Sequence, residues 1–249
     1  MKMLAQNALL IYIDDIDASG SGGLIRSDAL DTFASLGCNG VLISSECQTP
    51  DPSACLKALL GVSASGECAY PRMNVVFYSD HQTARKAIPE RFHMINEVGD
   101  AEILECVKSS LSKGSNTLVF LHLAETHLDL LDSLVRYYVS DEVNAAQVFV
   151  SVVQNASSRM EEYVSNATIS NVYRPRQSFT KVDGAYVDDN TAPQYFVLSY
   201  FQHNRIRKDD VKRYELSEFA HRNGYGSMNL RALIKEIAFR LGCTPKYGA

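Results

Sequence analysis

The sequence predicts an α/β protein with a doubly wound, mostly parallel sheet and helices on both faces. Short runs rich in β-branched and aromatic residues alternate with segments of helical periodicity along most of the 249 residues. The runs are apolar at successive positions, which is typical of strands that are covered on both sides. Polar residues follow each run, as expected at the carboxyl edge of a parallel sheet, where such folds bind ligands.

Six runs are predicted to form strands. The first ends directly before Asp14 and Asp15, which opens the question of whether these carboxylates hold a metal ion. The stretch SGSGG at residues 19–23 follows and predicts a turn. The predicted strands cover residues 8–13, 40–44, 74–78, 117–123, 147–153 and 194–200.

Six segments between and after the strands are predicted to form helices. Asp100 is expected to cap one of them at its amino end, and Lys113 and Gly114 are expected to end it. In Ser79-Asp80-His81, which follows the third strand, Asp80 is interpreted as the cap of the next helix. The predicted helices cover residues 27–36, 53–60, 82–88, 100–113, 128–138 and 229–241.

Length and composition indicate a single domain over residues 1–249. Apolar residues make up 46% and charged residues 21% of the chain, and the formal charge of −5 argues against a general nucleic-acid binder. No run of 18 apolar residues is present, so no membrane segment is expected. The polar stretch 174–193 predicts an irregular excursion or small hairpin before the last strand.

The cysteines indicate a reducing, intracellular compartment. Six cysteines are scattered without a CxxC pair, which is neither a zinc pattern nor the disulfide framework of a small secreted domain. The N-terminal apolar run ends in aspartates instead of a small-residue cleavage site, so it is interpreted as a strand and not as a signal peptide. We therefore expect a cytoplasmic protein, with a place in a cytoskeletal or other assembly left open.

Four motifs in order resemble the alkaline phosphatase superfamily, and its cofactor-independent phosphoglycerate mutase branch in particular. LLIYIDDID resembles the opening strand that ends on a metal-binding aspartate, and TPDPSACLKALLGV resembles the segment in which a nucleophilic Ser or Thr begins a helix. TLVFLHLAETH resembles the segment that contains Thr-Asp-x-x-Gly-His, and VFVSVVQNASS resembles a strand that ends in an Asp-His pair. The resemblance implies an alkaline phosphatase-like core over most of the chain.

The resemblance also implies a two-metal phosphoryl-transfer site, onto which this sequence maps incompletely. The nucleophile falls at Pro52 or Ser53, and counting back from Gly61 favours Pro52, which has no nucleophilic atom. Ser53 has the alternative role of a helix cap. The first aspartate is present as Asp14 or Asp15.

The remaining ligand positions are largely changed. In the Thr-Asp-x-x-Gly-His segment Thr126 matches, His127 takes the aspartate position, and Leu131 takes the position of the distal histidine. Asn155 and Ala156 replace the Asp-His pair, and Asn155 is a poor substitute for a carboxylate. The last histidine falls at His203 or His221 without the expected glycine-rich context. Asp80 and His81 look like the Asp-His signature but precede the segment that they should follow.

These observations favour a pseudoenzyme with no catalytic residue, cofactor or metal, which binds other proteins as part of a complex. We expect no nucleic-acid or membrane partner. One alternative is a divergent metal-dependent phosphoester hydrolase or mutase, with Zn, Mn or Mg held by Asp14, Asp15, His127 and Asp129 and with Ser53 or Thr49 as nucleophile. A second alternative is a phosphate- or nucleotide-binding module that uses the turn at residues 19–23.

Overall fold

The structure is a computed structural model that describes most of the chain. The described residues are 5–13, 24–44, 53–63, 65–95, 99–123, 127–140, 142–156, 180–183, 185–187, 193–204, 206–222 and 224–245. Asp14, Asp15, Thr49, Pro52, Thr126 and the turn at residues 19–23 lie outside them, so the predictions for these positions stay predictions.

Eight strands form one mixed sheet, and two further strands form a separate hairpin. The order across the sheet is β10-β2-β9-β6-β1-β5-β3-β4, and all neighbouring pairs are parallel except the two that β9 forms with β2 and β6. The strands are β1 Asn7–Ile13, β2 Cys38–Ser44, β3 Asn74–Ser79, β4 His93–Met94, β5 Thr117–Leu123, β6 Val148–Asn155, β7 Thr180–Val182, β8 Ala185–Val187, β9 Gln194–Phe201 and β10 Ser227–Asn229.

Helices cover both faces of the sheet, which confirms the predicted doubly wound, mostly parallel α/β class. On β1, Leu9 and Ile11 pack in one apolar cluster with residues of α1, α4 and α5, whereas Leu10 and Tyr12 pack in a second cluster with residues of α2 and α8. The helices are α1 Asp28–Leu36, α2 Ser53–Leu60, α3 Gln82–Ala87, α4 Asp100–Ser112, α5 Leu128–Ser140, α6 Glu142–Gln147, α7 Leu216–Arg222 and α8 Leu230–Arg240.

The helix ends agree in part with the predicted caps. Ser27 caps α1 with its side chain, which accepts a hydrogen bond from the Leu30 N–H, and α4 ends at Lys113 as predicted. The capping role predicted for Asp100 is wrong, because Gly99 is the cap residue and Asp100 is the first helical residue. This difference frees the Asp100 carboxylate for a contact with another element.

The hairpin β7–β8 lies within the predicted excursion at residues 174–193. Its strands pair antiparallel on either side of a turn that includes Asp183, whose φ of 49° is left-handed. Aspartate adopts this conformation more readily than most residues do. No described helix is long and apolar enough to cross a membrane.

Candidate functional site

The carboxyl ends of the parallel strands meet at one edge of the sheet. Ile13 at the end of β1 lies opposite Leu123 on β5 and Gln154 on β6, and Ser79 at the end of β3 lies opposite His122 on β5. Residues that follow β3 and β5 are therefore brought together. Asp14 is the next residue in the sequence after β1 and lies outside the described residues.

His127 lies between two aspartates at this edge. Its Nδ1 atom is 2.6 Å from Oδ1 of Asp100 on α4, and its Nε2 atom is 3.6 Å from Oδ2 of Asp80 after β3. The first contact is a short, charge-assisted hydrogen bond, and the second is longer than a hydrogen bond. The His127 and Asp80 side chains are each only 19% exposed, so the imidazole is held in one orientation in a partly dry environment.

Two further histidines extend this cluster toward the sheet. The His81 Nε2 atom is 3.6 Å from Asp80 Oδ1, and the His81 ring stacks on His122 with 4.9 Å between centroids. Tyr12 stacks on His122 at 5.3 Å, so three rings lie in series from β1 outward. The Ser79 hydroxyl is 2.8 Å from Nδ1 of His122, which fixes that ring against β3.

The sequence interpretation of Asp80 as a helix cap is wrong. His81 is the cap residue of α3 and its side chain makes no capping hydrogen bond. The structure instead brings Asp80 to His127, from separate parts of the chain, because β3 lies beside β5. Asp80 and His81 were set aside because they precede the segment that they should follow in the family. The strand order that brings them close to His127 cannot be read from a single sequence.

The predicted nucleophile position is described only at Ser53. It is the first helical residue of α2, and its residue is 5% exposed. The structure thus places Ser53 within α2 as its first helical residue, and not at the cap position that was its alternative predicted role. Whether Pro52 or Ser53 takes the nucleophile position stays a prediction.

The residues at the end of β6 are buried or half-buried and are held by hydrogen bonds to neighbouring segments. The Ala156 N–H donates to the Tyr195 carbonyl at 2.9 Å, and Ala156 is buried. The buried Gln154 side chain accepts a hydrogen bond from the Ile25 N–H at 3.2 Å, while Asn155 is half-buried. A histidine side chain in place of Ala156 would therefore meet packed protein.

His127 and Asp129, the two remaining predicted metal ligands, have different surroundings near the beginning of α5. Asp129 is exposed, and it forms no hydrogen bond or ion pair with any described residue, whereas His127 faces Asp80 and Asp100. Leu131 is buried in the apolar cluster beneath α5. The structure thus gathers His127 with Asp80, which the sequence argument discounted, and does not pair it with Asp129.

The two histidines considered as the last ligand lie away from this edge. β9 runs antiparallel to its neighbours, so His203, which follows it, lies at the amino edge of the parallel strands. His221 lines a groove of about 380 Å³ with Asp210. The neighbouring Asp209 accepts a 2.7 Å hydrogen bond from the Asn39 N–H at the beginning of β2. His203 and His221 are therefore not placed as ligands at the carboxyl edge of the sheet.

The described residues contain no group of three or more His, Cys, Asp or Glu side chains placed to hold a metal ion. The carboxylates and imidazoles instead form the sequence Asp100, His127, Asp80, His81, in which each contact joins only two side chains. Such an arrangement can hold and orient protons. It also fixes the beginnings of α4 and α5 against the end of β3.

No protein-family model and no curated protein matches the chain. Solved structures do match. The PH0037 protein from Pyrococcus horikoshii superposes with a TM-score of 0.52 and 10% identity, over 99% of this chain and 100% of that chain. The cofactor-independent phosphoglycerate mutase from Thermoplasma acidophilum superposes with a TM-score of 0.50 and 9% identity, over 95% and 100%. The chain therefore has an alkaline phosphatase-like α/β fold.

A third match spans part of a longer protein. Ps i-CgsB in complex with k-i-k-neocarrahexaose has a TM-score of 0.50 and 10% identity, over 97% of this chain and 73% of that chain. The alkaline phosphatase-like fold confirms the predicted resemblance at the level of architecture. The order of weak motifs was sufficient to find it, although identities near 10% carry no information about activity.

Proposed function

We propose that this chain is a pseudoenzyme on a phosphoglycerate mutase- or phosphatase-like fold, which has lost its two-metal site and acts as a structural or protein-interaction component. The observation that carries the proposal is the end of β6. The resemblance assigns an Asp-His pair to the positions of Asn155 and Ala156, and Ala156 is buried against β9.

The chemistry of two-metal phosphoryl transfer supports this reading. Two divalent ions need several carboxylate or imidazole ligands from separate strand ends to clamp the attacking and leaving oxygens. An amide oxygen binds such ions more weakly than a carboxylate, and a methyl group does not bind them at all. Leu131, at the position of the distal histidine, packs in the core, so a third ligand is also absent from the implied set.

The state of the cysteines supports the part of the proposal that places the protein in a reducing compartment. The five described cysteines, Cys38, Cys55, Cys68, Cys106 and Cys243, are free thiols. Two of them are buried and behave as small apolar side chains. A cytoplasmic component of a protein complex is the setting we propose.

One observation favours a second candidate, a divergent metal-dependent phosphoester hydrolase or mutase. Asp100 binds Nδ1 of His127, and a carboxylate in this position is the usual support of a metal-binding imidazole. His127 would then act with Asp14, Asp15 and Asp129 toward Zn, Mn or Mg. The exposed position of Asp129 is unfavourable, because it forms no described contact with His127.

A hydrolysis assay separates the two candidates. The purified chain is incubated with Zn²⁺, Mn²⁺ or Mg²⁺ and assayed with p-nitrophenyl phosphate and with 2- and 3-phosphoglycerate, beside His127→Ala and the exposed control Glu142→Gln. The pseudoenzyme proposal predicts rates equal to the metal-only blank in all three proteins. A metal-dependent rate that His127→Ala abolishes and Glu142→Gln retains would establish an enzyme with a rebuilt site.

A further inference from the structure

A groove of about 630 Å³ lies between the end strand of the sheet and α4. Its apolar part is formed by Val76 of β3, Ile95 directly after β4, and Ile103 of α4. Ile103 is 1% and Val76 8% exposed, so both are part of the packed core beneath the groove. The other lining residues are His93, Met94, Glu102, Glu105, Cys106, Ser109 and Ser110.

The backbone of β4 is oriented to accept another strand. The Ile95 N–H donates to the Phe77 carbonyl at 2.9 Å, so the amide of Ile95 points toward β3. Because backbone groups of successive strand residues point to alternate sides, the N–H and C=O of Met94 point away from β3. Within the described sheet β4 is the last strand at this end, and Met94 therefore presents its hydrogen-bonding groups beyond the sheet.

The rim of the groove is acidic. Glu102 and Glu105 are three residues apart on α4, which places them on the same side of the helix, and both are exposed. Among the described residues, the groove lining includes no lysine or arginine. Lys108 contacts Glu105 at 3.0 Å, and its ammonium group lies 4.8 Å from the Tyr137 ring on α5. Lys108 therefore offsets the charge of Glu105, and among the described contacts no lysine or arginine pairs with Glu102.

We propose that this groove binds an extended segment of a partner protein that carries aliphatic and Lys or Arg side chains together on one face of the strand. The segment pairs with Met94 as an added strand. Because side chains at every second position share a face, its aliphatic side chains fill the apolar part of the groove and the cations two residues away meet Glu102 and Glu105, all on the α4 side. Small side chains at Cys106, Ser109 and Ser110 leave room for this approach. Strand addition of this kind takes affinity from main-chain hydrogen bonds and specificity from alternate side-chain pockets. The inference rests on the proposed interaction role and names its partner class.

Three acetylated and amidated hexapeptides test the charge preference. Each has valine at positions 1 and 5 and lysine, glutamine or glutamate at position 3, which share one strand face, with threonine at the other positions, and carries a fluorophore for anisotropy titrations against the whole chain. The lysine peptide is expected to bind at least tenfold more tightly than the glutamate peptide, with the glutamine peptide between them. Equal affinities, or no binding of any peptide at millimolar concentration, would overturn the proposal.

Two variants locate the site. Glu102→Lys with Glu105→Lys is expected to reverse the order of the lysine and glutamate peptides, whereas the matched control Glu67→Lys with Glu142→Lys changes two exposed glutamates elsewhere and keeps the order. Met94→Pro removes an N–H that points away from β3, so it leaves the β3–β4 bonds in place and is expected to weaken all three peptides at least tenfold. Binding that is insensitive to Met94→Pro would contradict strand addition. These outcomes do not depend on the hydrolysis assay, so the two proposals can fail separately.

Discussion

Asp100 and His127 are joined by a 2.6 Å contact between Oδ1 and Nδ1, although they begin different helices. The contact fixes α4 to α5 at the carboxyl edge of the sheet. It also directs Nε2 of His127 toward Asp80, 3.6 Å away. The cluster thus joins the beginnings of α4 and α5 to the end of β3.

The Asp100–His127 pair should contribute measurably to stability. We expect a double-mutant cycle of Asp100→Asn and His127→Gln to give a coupling free energy of about 1 kcal/mol, because a charge-assisted hydrogen bond at a partly buried site is worth about that much. Urea unfolding followed by circular dichroism measures it. Asp129→Asn, at an exposed neighbouring position, is the control and should change the free energy of unfolding by less than about 0.5 kcal/mol. A coupling near zero would show that the pair is incidental.

Local sequence patterns predicted the large elements well. All six predicted strands and six predicted helices are present, and their ends agree within about two residues. The runs are long and apolar enough to identify buried strands, and a cap such as Ser27 marks a helix start locally. The short elements β4, β10, α6 and α7 were missed, because segments of two to seven residues carry little periodicity.

The candidate site was less predictable than the fold. Asp80 and His127 are 47 positions apart and meet only because β3 pairs with β5, a choice that local patterns do not encode. Likewise, His203 was misplaced because the antiparallel direction of β9 moves it to the opposite edge. By contrast, the residue types at Asn155, Ala156 and Leu131 can be compared with the ligands that the resemblance implies from the sequence alone, because that comparison needs no coordinates.

We expect no room for a histidine side chain at position 156, directly after β6. Ala156 is 5% exposed, so Ala156→His forces an imidazole into packed protein and is expected to lower the free energy of unfolding by about 1–3 kcal/mol. Asn155→Asp, a nearly isosteric change at the half-buried neighbour, is the control and should cost less. Thermal unfolding with and without Zn²⁺ measures both effects. If Ala156→His were tolerated and Zn²⁺ then raised the Tm, the pocket for a metal ligand would still be open.

Buried tyrosines should make the protein unstable in alkali. Burial raises the pKa of Tyr214 well above 10, and the Tyr214 hydroxyl is buried without a hydrogen-bond partner among the described residues. Burial also raises the pKa values of Tyr138 and Tyr200. Above pH 10 the unfolded chain releases protons that the folded chain retains, so stability falls as pH rises.

Tyr214→Phe tests this effect at one site. The change removes an unsatisfied buried hydroxyl, so we expect it to stabilise the protein by about 1 kcal/mol at pH 8. It should also reduce the loss of stability between pH 9 and pH 11, measured by urea unfolding at each pH. A variant that is less stable at pH 8 would reveal a hydrogen bond to Tyr214 and contradict this account.

The most direct test of the proposal that the two-metal site has been lost is the metal content of the purified protein. The chain is incubated with Zn²⁺, Mn²⁺ and Mg²⁺, desalted and analysed for bound ions beside the Asp14→Ala/Asp15→Ala double variant. The account predicts less than about a tenth of an ion per chain in both proteins, since a two-metal site needs more ligands than the implied positions retain. About two ions per chain, lost in the double variant, would contradict it and identify Asp14 and Asp15 as ligands of a working site.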